Sequence, residues 1–312
     1  VRILITGGAG CLGANLVDHW VPAGHEILVL DNFATGHREA LPEMPAVRIV
    51  TGSVTDRALV DRCFDEFAPD WVIHSAAAYK DPSDWLEDAS TNVLGTIQTI
   101  EAARRHSVKR FVNFQTALGY GRPTRVPIPV DHPQAPFTSY GISKTAGEQY
   151  LAMSDLPYVS LRLANVTGPR LAIGPIPTFY TRLKAGQKCF CSDTVRDFLD
   201  LSDFLALMDL VLAEGAPTGI YNVSTGEGRT IKDVFDTVAD YLGIRLPEPV
   251  PVVPPGADDV PAVVLDPSRT EEAFGWRAQV SFEDSVRRTL AWYDRYGVGA
   301  IFSHLAAPPA QA

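Results

Sequence analysis

This chain of 312 residues has little that would serve metal, disulfide or membrane chemistry. Its four cysteines, Cys11, Cys63, Cys189 and Cys191, form no C-x-x-C and no regular framework, which favours a reduced, cytoplasmic protein over a disulfide-stapled secreted one. Cys189 and Cys191 are two apart, so on a strand they share a face and serve as small buried hydrophobes. The seven histidines are scattered, without H-x-x-x-H or a carboxylate grouping, so no metal is expected. There is no basic run, and the formal net charge is −10, which argues against nucleic acid or an anionic membrane as the main partner. An anionic small molecule would need its own local arginines and backbone N–H groups. The apolar start Val1 to Ile5 is far shorter than a signal core or a membrane span. No internal repeat is present.

What is present is 46% hydrophobic and 21% charged, enough for a globular chain with ample core. Val1 to Thr6 reads as a buried strand, followed by Gly7-Gly8-Ala9-Gly10-Cys11-Leu12-Gly13 and an amphipathic helix to about Val21. A second strand, Glu26 to Leu30, ends in Asp31. In such a unit Gly7 allows the tight turn, Gly10 lets the backbone approach a pyrophosphate, and Gly13 lets the helix pack closely. The anion then sits at the helix N-terminus, and Asp31 accepts from the adenosine ribose, favouring NAD over NADP.

The alternation continues with strands at Val47 to Thr51, Trp71 to His74, Arg110 to Phe114 and Val159 to Leu163. Helices are expected at Arg57 to Phe67, Thr91 to about His106, and around Tyr140. This period predicts an α/β fold, a doubly wound parallel sheet of Rossmann type with a smaller C-terminal substrate-binding lobe. The expected division is 1–165 for the NAD-binding domain and 166–312 for the lobe, with some later segments returning to the first domain. Pro123, Pro127, Pro129, Pro133 and Pro136 make an extended loop before Tyr140. In the lobe, helices are expected near Pro177 to Ala185, Leu201 to Ala213, Ile231 to Leu242 and Phe282 to Tyr296. Lys188 to Cys191 and Asn222-Val223 read as strands, and the Ala/Pro-rich tail after His304 as disordered.

The chemistry centres on Thr138-Ser139-Tyr140-Gly141-Ile142-Ser143-Lys144. A helix places Tyr140 and Lys144 on one face. A tyrosine alone titrates near ~10 and is a poor base. An ammonium about 4 Å away, at an effective dielectric of about 20, favours the phenolate by roughly 4 kcal/mol, or about three pKa units. Tyr140 would then work near neutral pH as a general base.

With these residues in hand the chain resembles the extended short-chain dehydrogenase/reductase superfamily, in its NAD-dependent nucleotide-sugar epimerase/dehydratase branch. The motifs that carry this are the glycine loop, Asp31-Asn32-Phe33 with Thr35-Gly36, His74-Ser75-Ala76-Ala77, Asn92-Val93 with Gly95-Thr96, Tyr120-Gly121, Tyr140 with Lys144, Arg162 to Val166, Arg196-Asp197-Phe198 and Gly275-Trp276. More narrowly it is similar to sugar-nucleotide epimerases of bacterial O-antigen clusters, which places it in polysaccharide biosynthesis.

The resemblance implies that Thr116, Tyr140 and Lys144 are catalytic. Gly7, Gly10, Cys11, Leu12, Gly13, Asp31, Asn32, Thr35, Gly36, Ser53, Val54, Ser75, Ala76, Ala77, Lys80, Asn92, Tyr140 and Lys144 would contact NAD. Thr116, Asn165 and Arg196 would contact a nucleotide-diphosphate sugar, the last two at its diphosphate. A homodimer, paired through the helices from Asn92 and Tyr140, is also implied. Around Lys80 the chain is one residue longer than the family pattern. Ser53 replaces a usual Asp, Gln115 a usual Ser, and Gly256 to Pro261 carries no arginine where the family often places a second ligand. A 4,6-dehydratase of this superfamily carries Asp-Glu directly after the threonine, whereas this chain has Ala117-Leu118. The expected reaction is therefore C4 epimerisation through a 4-keto sugar. Epimerisation at C5 or C3, another dehydratase route, and a non-catalytic NAD-binding protein are the alternatives.

Overall fold

The computed structural model describes residues 1–299, so the expectation for the tail after His304 lies outside the described residues. The chain forms two compact units. One comprises Val1–Gly119, Pro136–Arg162 and Asp209–Tyr221; the other comprises Tyr120–Ala135, Leu163–Met208 and the described residues from Asn222 on.

The first unit is built on strands β1 (Arg2–Thr6), β2 (Glu26–Asp31), β3 (Val47–Thr51), β4 (Trp71–His74), β5 (Arg110–Thr116) and β6 (Tyr158–Leu163). Together with the strand Gly219–Val223 they form a seven-stranded sheet. Its order is Gly219–Val223, β6, β5, β4, β1, β2, β3, the doubly wound arrangement that the alternation of strand and helix predicts. β1 pairs in parallel with both β2 and β4, which are its neighbours because the chain reverses its direction of progress across the sheet there. Ligands of such sheets lie outside the carboxyl ends of the strands at this switch point.

The central strands read as near-continuous apolar runs because helices cover both faces. α1 spans Cys11–Trp20, α2 Arg57–Phe67, α3 Trp85–Asp88, α4 Thr96–Arg105 and α5 Ser139–Ala152. Phe64 and Phe67 of α2 and Ile100 and Ala103 of α4 pack on Leu4, Leu28, Val72 and Phe111 of the sheet. Complete burial of a side chain such as Phe64 contributes roughly 1.5–3 kcal/mol. α5 begins where the Thr138 hydroxyl accepts the Gly141 N–H at 3.1 Å, a serine/threonine N-cap.

The second unit holds short strands and longer helices. Asn165–Thr167 pairs in parallel with Phe198–Asp200, and Val195–Arg196 lies between Arg229–Thr230 and Ala262–Val263. Helices Pro175–Lys184, Ile231–Tyr241 and Phe282–Tyr296 share a core of Phe179, Leu183, Val234, Phe235, Val286 and Leu290, with Cys191 buried in it.

Two local expectations change. The helix expected to open at Thr91 already begins as α3 at Trp85 and continues through a π-helical turn, Ala89–Gly95, into α4. Asp84, which accepts the Glu87 N–H at 3.0 Å, supplies the earlier cap. The strand expected over Lys188 to Cys191 is only Cys191–Ser192, paired with Val252–Val253. Two-residue strands leave no periodicity for a sequence to show.

Candidate active site

The glycine loop is shaped by close backbone approaches. Gly7 has φ +68°, and a Cβ there would lie 2.7 Å from the Ala76 backbone; at Gly13 it would lie 2.5 Å from Gly8 Cα. Gly10 is the N-cap of α1 and brings no side chain to its first turn. The N–H groups of that turn therefore point to where an anion is favoured. The buried Asp31 carboxylate accepts the Ala9 N–H at 2.8 Å and the Phe33 N–H at 2.7 Å, tying the end of β2 to the loop. Gly36 lies against Ala9, whose carbonyl accepts the His37 N–H at 3.2 Å. A cradle that any Cβ would fill, a helix N-terminus and a fixed carboxylate fit a dinucleotide.

The remaining cofactor candidates surround this cradle unevenly. Cys11 and Leu12 are half-buried at the start of α1, and Asn32 is exposed, accepting the Ala34 N–H. The Ser53 hydroxyl accepts from Thr55, and Val54 is buried beneath Gly95. Ser75 and Ala76 run back onto Thr6, through its carbonyl and hydroxyl, and Ala77 follows, half-buried. Lys80 is exposed further along that loop. The buried Asn92 amide exchanges two hydrogen bonds with the Ala78 backbone and donates to Ser143 Oγ at 3.0 Å, so it ties the loop after β4 to α5.

Tyr140 and Lys144 lie one turn apart on α5, as their spacing requires. Gly141 lets the chain after Thr116 pass close, since a Cβ there would lie 3.0 Å from the Leu118 carbonyl. Thr116 ends β5, and its hydroxyl accepts the Leu118 N–H at 3.1 Å, which leaves the hydroxyl proton to donate. The pKa expected for Tyr140 is corrected. Burial of the phenol raises it above its ordinary value, and the neighbouring Tyr79 and Asp88 add to the rise. The same burial lowers Lys144 to about 8, only partly offset by Glu148, so the supporting ammonium is itself weakened.

In the second unit Asn165 is exposed, and its amide donates to the Asp197 carbonyl at 3.0 Å, next to Arg196. Arg196 forms an ion pair with Asp259 and donates to the Val195 carbonyl at 2.7 Å. The segment without an arginine, Gly256 to Pro261, thus supplies a carboxylate to the arginine already present.

Residues 3–224 match the model of the NAD dependent epimerase/dehydratase family. The chain belongs to that family. The Bordetella bronchiseptica enzyme WbmG, solved in complex with NAD and UDP, is 71% identical with a TM-score of 0.94, covering 98% of this chain and 99% of its own. UDP-glucose 4-epimerase from Thermotoga maritima, solved with UDP-glucose, is 28% identical with a TM-score of 0.87, covering 95% of this chain and 99% of that one. UDP-glucose 4-epimerase of Mycolicibacterium smegmatis is 31% identical over 315 residues, covering 94% of this chain and 98% of that protein. The chain is an enzyme of this NAD-dependent epimerase/dehydratase family and its cofactor is NAD.

Several residues of this family member lie near these groups without a site role expected from sequence, although His74 belongs to one of the motifs. Tyr79 packs its ring 6.0 Å from that of Tyr140 and hydrogen-bonds Thr35 through its side chain. Asp88 is buried against Ser139, and burial holds its carboxyl above the usual range. His74 lies 2.9 Å from both the Thr6 and Thr96 hydroxyls. Because Thr96 donates to the Asn92 carbonyl, Nε2 of His74 is the donor and Nδ1 accepts from Thr6. Burial lowers that ring to about 3, so it stays neutral. Glu148, one turn beyond Lys144, holds the buried Arg162 at 2.6 Å. The only sequence signals were a histidine closing an apolar strand and carboxylates four residues before Asn92 and after Lys144.

Proposed function

We propose that this enzyme epimerises a UDP-linked sugar at C4 through a transient 4-keto sugar. The observation that carries this is the Tyr140–Lys144 helix face, with the Thr116 hydroxyl oriented by Leu118 and followed by no side chain that can move a proton. The UDP complex of WbmG and the UDP-sugar 4-epimerases among its relatives support the substrate class. Asp31, the glycine loop and Lys144 would hold NAD. When bound, NAD supplies a reversible hydride acceptor and, in its oxidised form, a positive charge. Tyr140 accepts the proton of the C4 hydroxyl and later returns it, so no net proton is consumed. Lys144 supports the phenolate, Thr116 orients the hydroxyl, and Asn165 and Arg196 hold the diphosphate. Binding energy from that non-reacting part positions the carbinol.

Ala117 and Leu118 offer neither acid nor base, so 4,6-dehydration by the Asp-Glu route is disfavoured. Epimerisation at C5 or C3 is the competing reading, since a 4-keto group acidifies both neighbouring hydrogens; it would need a second base, for which Cys191, Lys80 and the proline loops are the candidates. Incubation of UDP-sugars in deuterated water separates the two. C4 epimerisation leaves every carbon-bound position unlabelled, and label at C3 or C5 overturns it. In Tyr140→Phe, full conversion would overturn the assignment of the base.

Exposed Leu86, Leu94, Ile142, Tyr150 and Met153 leave an apolar face on α3, the π-helical turn and α5, which supports a homodimer through these helices. Sedimentation at micromolar concentration tests it. Cytoplasmic residence is supported by four cysteines without disulfides, and among the described residues no helix is long and apolar enough to cross a membrane. The product would feed a glycosyl transfer of polysaccharide assembly.

A further inference from the structure

We propose that Gln115 is a positioning residue for this reaction: its amide fixes the Thr116 backbone to that of Lys144, so that the threonine hydroxyl keeps one place against the helix face of Tyr140 and Lys144. The inference rests on the assignment of Thr116, Tyr140 and Lys144 to epimerisation. Gln115 Nε2 donates to the Lys144 carbonyl at 2.8 Å, and Oε1 accepts the Thr116 N–H at 2.7 Å. One side chain thus spans from the end of β5 to the middle of α5, and it is 2% exposed.

Each bond meets a specific need. The pairing of β5 with β4 ends at Asn113, three residues before Thr116, so the ladder on that side of the strand does not reach the threonine. The Lys144 carbonyl lies inside α5, where one lone pair serves the helix and the second remains to accept a further donor. A primary amide offers a donor and an acceptor a fixed distance apart, and glutamine carries it on a stem long enough to reach α5. A serine here has one oxygen on a single carbon and could not reach both partners. The Leu118 N–H then holds Oγ1 of Thr116. The N–H and the hydroxyl of Thr116 are therefore each engaged by one of these bonds. Displacement of a reacting group by about 1 Å can cost about 100-fold in rate, so a loosened Thr116 should reach kcat well before it reaches binding.

The test uses the NAD-loaded enzyme and a double-mutant cycle. Gln115→Met keeps the length and removes both bonds. It should lower kcat by about 10-fold or more, with KM within about 3-fold and NAD retained. Combined with Thr116→Ala it should cost no more than Thr116→Ala alone, within about 2-fold. Losses that multiply, or a Gln115→Met enzyme of unchanged kcat, overturn the proposal. Gln115→Glu keeps the acceptor for Thr116 but not the donor for Lys144, and carries the same cycle if the methionine variant does not fold. Amide exchange at Thr116 needs no substrate. It should be protected in the parent and in Gln115→Glu and accelerate at least about 10-fold in a folded Gln115→Met; equal exchange overturns the clamp. If the parent converts no UDP-sugar, the proposed function fails, and the exchange result still decides whether Gln115 fixes Thr116.

Discussion

Replacing Lys144 by methionine should make the protein more stable while abolishing its chemistry. Lys144 is 5% exposed, and burial lowers its pKa from 10.5 to about 8. At about 1.4 kcal/mol per pH unit, that depression is a folding penalty of about 3 kcal/mol near neutral pH. The sign follows from proton counts. Between pH 8 and 10.5 the unfolded lysine still binds a proton that the folded one has lost, so stability rises with pH across that window. Below it the penalty is complete. Methionine has a similar length and no charge to desolvate, and Glu148 keeps Arg162 as its partner. The attraction to Glu148 is already contained in that net depression, so the expected gain is about 3 kcal/mol at about pH 7, shrinking as pH rises towards about 9.5. Urea unfolding of both proteins, stripped of NAD so that ligand linkage does not intrude, measures it. Conversion of UDP-sugar should fall by at least about 100-fold, because the phenolate loses its ammonium. A variant that is less stable at neutral pH, or whose advantage is the same at both pH values, would refute the idea that this lysine is held at the expense of the fold.

Glu148→Gln should destabilise the first unit by about 3 kcal/mol, since Arg162 is 5% exposed and would lose its carboxylate; a shift below about 1 kcal/mol in urea unfolding would contradict that. Gly13→Ala puts a Cβ 2.5 Å from Gly8 Cα and 2.7 Å from the Gly7 carbonyl, backbone atoms that cannot swing aside. NAD affinity should fall by more than about 10-fold by equilibrium dialysis. Asp197 accepts from Thr225 and Gly226 and is raised to about 6 mainly by burial. Its folded pKa exceeds the ordinary 3.8, so stability should fall as pH rises between these values. Asp197→Asn should flatten thermal melts across that window, and an unchanged slope would count against the assignment.

The sequence alone determined the regular parts. Apolar runs closed by glycine and acid gave β1, the cradle and Asp31, and the four-residue spacing put Tyr140 and Lys144 on one helix face, because both depend on short-range geometry. Helix Phe282–Tyr296 was likewise legible from its apolar period. Only the tertiary structure decided what surrounds these groups. It brought Tyr79 against Tyr140 and the Asp88 charge within its reach, committed Asp259 to Arg196, and used Gln115 to join β5 to α5. The same packing reversed the expected pKa of Tyr140, because desolvation depends on neighbours distant in the chain, whereas the spacing of a lysine reports only the charge one turn away.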